Sequence, residues 1–108
     1  MFRNTLCSIV LLVPTCASAE VSGVNENLTD KLCQNVGDMT VVIYAMRRES
    51  VPLSFFMARE SNTALREIIK NVYKAPIAHT DEMANIISAS LRTDSEMMCY
   101  ESPDLFLN

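Results

Sequence analysis

The spacing of apolar residues along the chain predicts helices. The first apolar stripe advances in steps of three and four residues, and its members are Leu32, Val36, Met39, Ile43 and Met46. Because this spacing places side chains on one helical face, it predicts a helix over residues 28–48, capped by Asn27 or Thr29. Gly37 lies inside this helix, where we expect a close approach by another helix.

Three further helices follow. A short one is predicted from Pro52 or Ser54 to about Glu60, because Pro52 forbids the first helix from continuing. A third, capped by Asn62 or Thr63, is predicted to end at Lys74, and its apolar face consists of Leu65, Ile68, Ile69, Val72 and Tyr73. A fourth, capped by Thr80, carries Met83, Ile86, Ile87, Leu91, Met98 and Cys99. No segment shows the alternation of a strand, so the predicted fold is an all-α bundle of about four helices.

The first 19 residues have the pattern of a secretory signal peptide. Arg3 supplies a positive start, residues 6–13 are an apolar run too short to span a bilayer, and Ala17 and Ala19 form a cleavage site. Export leaves residues 20–108 as a single helical domain, with residues 20–27 and 101–108 expected to be flexible, although Leu105, Phe106 and Leu107 could dock onto the core. Lipidation at Cys16 is the alternative, but Pro14 and Thr15 are poor residues before a lipidated cysteine.

Two cysteines remain after cleavage, Cys33 and Cys99. An even pair in an exported chain predicts a structural disulfide. The two residues lie near the start of the first helix and the end of the last, and these ends meet if the helices are antiparallel. A redox-active pair is the alternative, but the Cys-x-x-Cys spacing typical of one is not present.

Composition limits the chemistry of the protein. Its 108 residues include two glycines and one histidine, His79, too few for a glycine-rich phosphate loop or a histidine metal cluster. The net charge of −4 argues against nucleic acid as a partner. The methionines fall at core spacing, so copper binding is not expected. We therefore expect no cofactor, no metal, no enzymatic activity and no stable membrane insertion of the mature chain.

Positive charge is concentrated in the middle of the chain. The basic residues of this segment are Arg47, Arg48, Arg59, Arg66, Lys70 and Lys74. They form either solvated faces that attract the acidic ends of the chain or a basic patch for an acidic partner.

Two motifs resemble those of a loose group of uncharacterised small exported proteins from Gram-negative bacteria and phages. They are Met46-Arg47-Arg48-x-x-Val51-Pro52-Leu53-Ser54-x-x-Met57 and Ile68-Ile69-Lys70-Asn71-Val72-Tyr73-Lys74-Ala75-Pro76, followed later by Cys99-Tyr100. The resemblance covers most of residues 33–100 and implies a helical fold with paired cysteines in the periplasm. Where the group has glycine before the proline turn, this chain has Ser50 and Val51.

Two functional hypotheses follow. The first is a non-enzymatic periplasmic protein that binds one protein partner through a helix face or the basic middle segment. The second is an acid-stress chaperone, because protonation of the 13 carboxylates would remove attractive pairs and could open a fold held by one disulfide. The protein is similar to periplasmic acid-stress chaperones only in being small, exported, helical, acidic and singly crosslinked.

The predicted cleavage after Ala19 means that the exported protein should begin at Glu20. Small residues occupy the two positions that signal peptidase reads, Ala17 and Ala19. The intact mass of the exported protein measures the cleavage point. A mass that includes a lipid on Cys16 would contradict it.

Overall fold

The computed structural model describes the backbone of residues 14–107 and the side chains of residues 27–107. The helices are α1 (Pro14–Arg48), α2 (Leu53–Met57), α3 (Thr63–Lys74) and α4 (Asp81–Glu101), followed by a 3₁₀ turn, η1 (Pro103–Phe106). No strand occurs among these residues, so the predicted all-α class with four helices is confirmed. The chain divides into two units, residues 1–30 and 31–108. The packing described below lies in the second unit.

The first helix is longer than predicted. α1 begins at Pro14 rather than at residue 28, so the predicted caps Asn27 and Thr29 lie inside it. Proline is tolerated in the first turn of a helix, and no other proline occurs before Pro52 to stop one. Residues 1–13, which include the apolar run of the predicted signal peptide, lie outside the described residues.

The end of α1 is a Schellman motif. The Ser50 amide donates to the Arg47 carbonyl at 2.9 Å, and the Val51 amide donates to the Met46 carbonyl at 3.1 Å. These bonds require a left-handed residue between helix and turn, and Ser50 has φ of 72°. This chain therefore places serine in a backbone conformation that favours glycine.

The later helices begin where their caps were predicted. The side chain of Asn62 accepts the Leu65 amide at the start of α3, and the Thr80 hydroxyl accepts the Met83 amide at the start of α4. α2 is short and ends at Met57, three residues before its predicted end. The tail is not wholly irregular, because η1 follows α4.

Two apolar clusters form the core. The larger contains Ile43 and Tyr44 of α1, Ile69 and Val72 of α3, and Leu91 of α4. The smaller cluster is built around the disulfide and consists of Cys33, Val36, Ile68, Cys99 and Phe106. Phe106 shows that the tail docks onto the core. Its neighbours Leu105 and Leu107 stay exposed.

The buried faces of α1 and α4 are rotated from those that apolar spacing suggested. On α1 the flanking residues Thr40 and Tyr44 are fully buried, while Leu32, Met39 and Met46 are only half-buried. On α4 the expectation is wrong for three members of the apolar set, since Met83, Ile86 and Met98 are exposed. The buried residues of α4 are Leu91 and Cys99, as expected, together with the small residues Ala84 and Ser95.

α1 and α4 approach each other closely near the disulfide. The predicted Cys33–Cys99 disulfide is present, with 5.4 Å between the Cα atoms. One turn along α1, a Cβ atom on Gly37 would lie 2.7 Å from Glu96 Oε2 and 3.1 Å from Arg92 Cγ. The predicted close approach at Gly37 is therefore confirmed, and the missing side chain of Gly37 leaves room for the side chains of Arg92 and Glu96.

Ser50→Gly should stabilise the protein. Glycine removes the cost of a left-handed L-residue, about 1–2 kcal/mol, and adds unfolded-chain entropy worth about 0.5–1 kcal/mol, which leaves a net gain of about 0.5–1 kcal/mol. The expected rise in melting temperature is about 2–8 °C. The control is Ser90→Gly in the middle of α4, which should lower stability by about 0.5 kcal/mol. A lower melting temperature for Ser50→Gly would contradict the assignment.

Ile69→Ala should destabilise the protein by about 2–5 kcal/mol, because Ile69 is 2% exposed within the larger cluster. Lys70→Ala is the matched control on the neighbouring, partly exposed position and should cost less than about 1 kcal/mol. Thermal or denaturant unfolding of both variants measures the difference. Equal stability of Ile69→Ala and the parent protein would refute its place in the core.

Candidate functional site

The predicted basic residues take part in several separate contacts. Arg47 at the end of α1 reaches the end of α3, where Nη1 donates to the Val72 carbonyl at 2.7 Å and to the Ala75 carbonyl. Its guanidinium lies 5.3 Å from the centre of the Tyr73 ring. Burial raises the pKa of Tyr73, and the charge of Arg47 opposes that rise. Arg47 thus supplies the cation that caps α3.

Arg66 and Arg59 hold the segment around α2. Arg66 Nη1 donates to the carbonyls of Met57 and Glu60 at 2.7 and 2.8 Å. Arg59 Nη1 donates to the Phe55 carbonyl at 2.7 Å, with its guanidinium 3.7 Å from the centre of the Phe55 ring. Both arginines therefore satisfy backbone acceptors at the end of a short helix.

Of the remaining three basic residues, Arg48, Lys70 and Lys74, two form ion pairs. Arg48 lies 3.5 Å from Asp81, and Lys70 lies 2.6 Å from Glu67. The hydrogen bond from Lys70 is the main reason that the pKa of Glu67 lies below its ordinary value, with smaller help from Lys74. Three of the six predicted residues thus hold backbone carbonyls and two form ion pairs. An interaction role for them stays a prediction.

A different surface has the geometry of a binding site. An open groove of about 600 Å³ lies between the start of α3, the end of α4 and η1. We call it the C-terminal groove, and the residues that define it are Asn62, Ala64, Met98, Glu101, Leu105 and Phe106. Its lining is mostly apolar, and its volume falls in the range of ligand and peptide pockets.

Asn62 and Phe106 hold the walls of the C-terminal groove in position. Asn62, which is 5% exposed, accepts the Leu65 amide and donates from Nδ2 to the Leu105 carbonyl at 2.9 Å. Phe106 is buried against the disulfide cluster. One asparagine therefore caps α3 and anchors η1, so both walls are positioned before any partner arrives.

Exposed apolar side chains are concentrated in the C-terminal part of the chain. Of the eleven large hydrophobic side chains that are exposed within residues 27–107, five lie within residues 97–107, and two of these, Met98 and Leu105, line the groove. Such a concentration is unusual on a surface that faces only water. Methionine is flexible and polarisable, which suits it to contacts with varied apolar side chains.

Sequence reasoning did not single out this groove. One signal was visible, since apolar residues occur on more than one side of α4 and again beyond Pro103. The pattern could not show which of them the core would use, because that depends on the rotation of α4 imposed by the disulfide and Gly37.

A second groove of about 330 Å³ lies between α1, α2 and α3. Its lining includes Met39, Val42 and Phe56, with charges of both signs from Asp38, Arg59 and Glu60. It is smaller, and the exposed apolar residues are fewer there than around the C-terminal groove.

The described residues hold neither a metal-ligand cluster nor a helix suited to cross a membrane. No three His, Cys, Asp or Glu side chains in residues 27–107 are grouped so that they could hold a metal ion. In the same part of the chain no helix combines the length and apolar character needed to cross a bilayer. No protein-family model, curated protein or solved structure matches the chain, so function is argued from this geometry.

Proposed function

We propose that this protein is an exported, non-enzymatic binding module that receives apolar side chains of a partner protein in the C-terminal groove. The observation that carries the proposal is an open, mostly apolar groove of about 600 Å³ whose lining includes the exposed side chains of Met98 and Leu105. Burial of apolar area is the main favourable term in protein association, so such a surface gains most from a partner.

The compartment that we propose is the periplasm. Support comes from the signal-like residues 1–19 and from the disulfide, which suits an oxidising compartment. Cys33 and Cys99 are both 0% exposed, and a buried disulfide suits a structural role better than exchange with substrates.

Photocrosslinking tests the proposal. A photoreactive residue replaces Leu105, which is 57% exposed beside the groove, or Ile86, which is 66% exposed in the first half of α4. We expect discrete crosslinked proteins from position 105 in intact cells and none from position 86. Ala64→Lys, which places a positive charge on the wall of the groove, should abolish the crosslinks from position 105.

Melting curves of each variant show whether the fold is kept. Equal crosslinking from positions 105 and 86, or crosslinks unaffected by Ala64→Lys in a folded protein, would refute the groove as the binding site.

A further inference from the structure

The surface around the C-terminal groove is negatively charged. Residues 93–107 carry four acidic side chains, Asp94, Glu96, Glu101 and Asp104, and no lysine or arginine. Glu96 lies 3.3 Å from Arg92. Glu101 and Asp104 are exposed and form no ion pair with any described residue. Of these residues, Glu101 lines the groove and Asp104 precedes the lining residue Leu105 in η1, so these two form an acidic rim.

The end of α4 adds to this negative charge. The last turn of α4 contains no basic residue, although a cation is the usual stabilising partner for the negative end of a helix dipole. The Ser102 amide donates to the carbonyls of Met98 and Cys99. The ends of α1 and α3 each carry basic residues in their last turn. Among the three long helices α1, α3 and α4, α4 is the one whose last turn has no basic residue.

The start of α3 offsets part of the field from the end of α4, because the N-terminus of α3 is the positive end of a helix dipole and its first turn holds no acidic residue. Glu67 adds a carboxylate to the lining of the groove, and Lys70 pairs with Glu67 and neutralises part of its charge. The negative charge of the groove therefore comes mainly from Glu101 and Asp104.

We infer that the occupant of the C-terminal groove is a cationic amphipathic segment of a partner protein. Its apolar side chains lie between α3 and α4, and its lysine or arginine side chains reach Glu101 and Asp104. This inference rests on the proposed binding function and names its partner class. A second copy of this chain would bring like carboxylates together, and an anionic bilayer would be repelled by the same rim.

Two matched peptides test the inference with the purified exported protein. Each has about 16 residues with leucine on one helical face, and the polar face carries lysine in one peptide and glutamate in the other. Fluorescence anisotropy gives the affinity, and amide chemical shifts of the protein locate the site. We expect the lysine peptide to bind at the groove, the glutamate peptide to bind at least tenfold more weakly, and added salt to weaken the lysine peptide.

Two double variants distinguish the effect of the acidic rim on affinity from the effect of the total charge of the protein. Glu101→Gln with Asp104→Asn should weaken the lysine peptide about 2- to 30-fold, the range expected for two exposed charge pairs. Glu49→Gln with Glu82→Gln removes equal charge elsewhere and should change the affinity less than about twofold. Leu105→Ser should weaken both peptides.

The outcomes distinguish this inference from the proposed function. If the glutamate peptide binds at the groove as tightly as the lysine peptide, the charge inference is overturned and the binding function stands. If neither peptide shifts the groove amides and photocrosslinking at position 105 also fails, both are overturned. Equal effects of the two double variants, or tighter binding to anionic phosphatidylglycerol vesicles than to the lysine peptide, would also overturn the inference.

Discussion

The contact between α1 and α4 organises the described fold. The Cys33–Cys99 disulfide closes a loop of 66 residues and is wholly buried. In the chain-entropy description such a crosslink contributes about 4 kcal/mol, a large share of the stability of a domain this small. One turn further along α1, Gly37 leaves room for the side chains of Arg92 and Glu96 on α4. The face of α4 that carries Cys99 is buried, and the apolar residues Met83, Ile86 and Met98 lie exposed.

The basic middle segment has a structural use that its charge alone did not reveal. Arg47 binds carbonyls at the end of α3, and Arg66 binds carbonyls at the end of α2. Tyr44 connects α1 to the segment between α3 and α4, because its hydroxyl donates to the Pro76 carbonyl and accepts the Ala78 amide. Backbone groups at helix ends need partners when they are partly buried, and these side chains supply them. The excess of positive charge is thus largely taken up by helix ends and ion pairs.

Negative charge is not neutralised in the same way at the other end. Residues 93–107 contain no basic side chain to cap α4, and η1 brings Leu105 beside the exposed methionine Met98. An apolar surface with an acidic border results directly from how the tail docks. Asn62 and Phe106 hold that tail in place, so the groove is a property of the folded chain rather than of any one helix.

The sequence by itself determined the local structure. Helix caps at Asn62 and Thr80, the stop before Pro52, the paired cysteines and the burial of Ile69 all follow from short-range rules of spacing and hydrogen bonding. The end of α1 could be located, but its start could not, because no breaker separates residues 15–27 from the predicted helix. The apolar residues of the tail are visible in the sequence, but the sequence does not show which of them pack into the core.

Only the tertiary structure decided which face of each helix is buried. Apolar spacing defines a stripe on an isolated helix, yet Thr40 and Ser95 are buried while Ile86 is exposed. The reason is that the disulfide buries the face of α4 that carries Cys99, and Gly37 leaves room beside it for the side chains of Arg92 and Glu96. The same constraint leaves apolar residues of α4 at the surface and creates the groove with η1, which depends on contacts between residues more than 40 positions apart, such as Asn62 with Leu105.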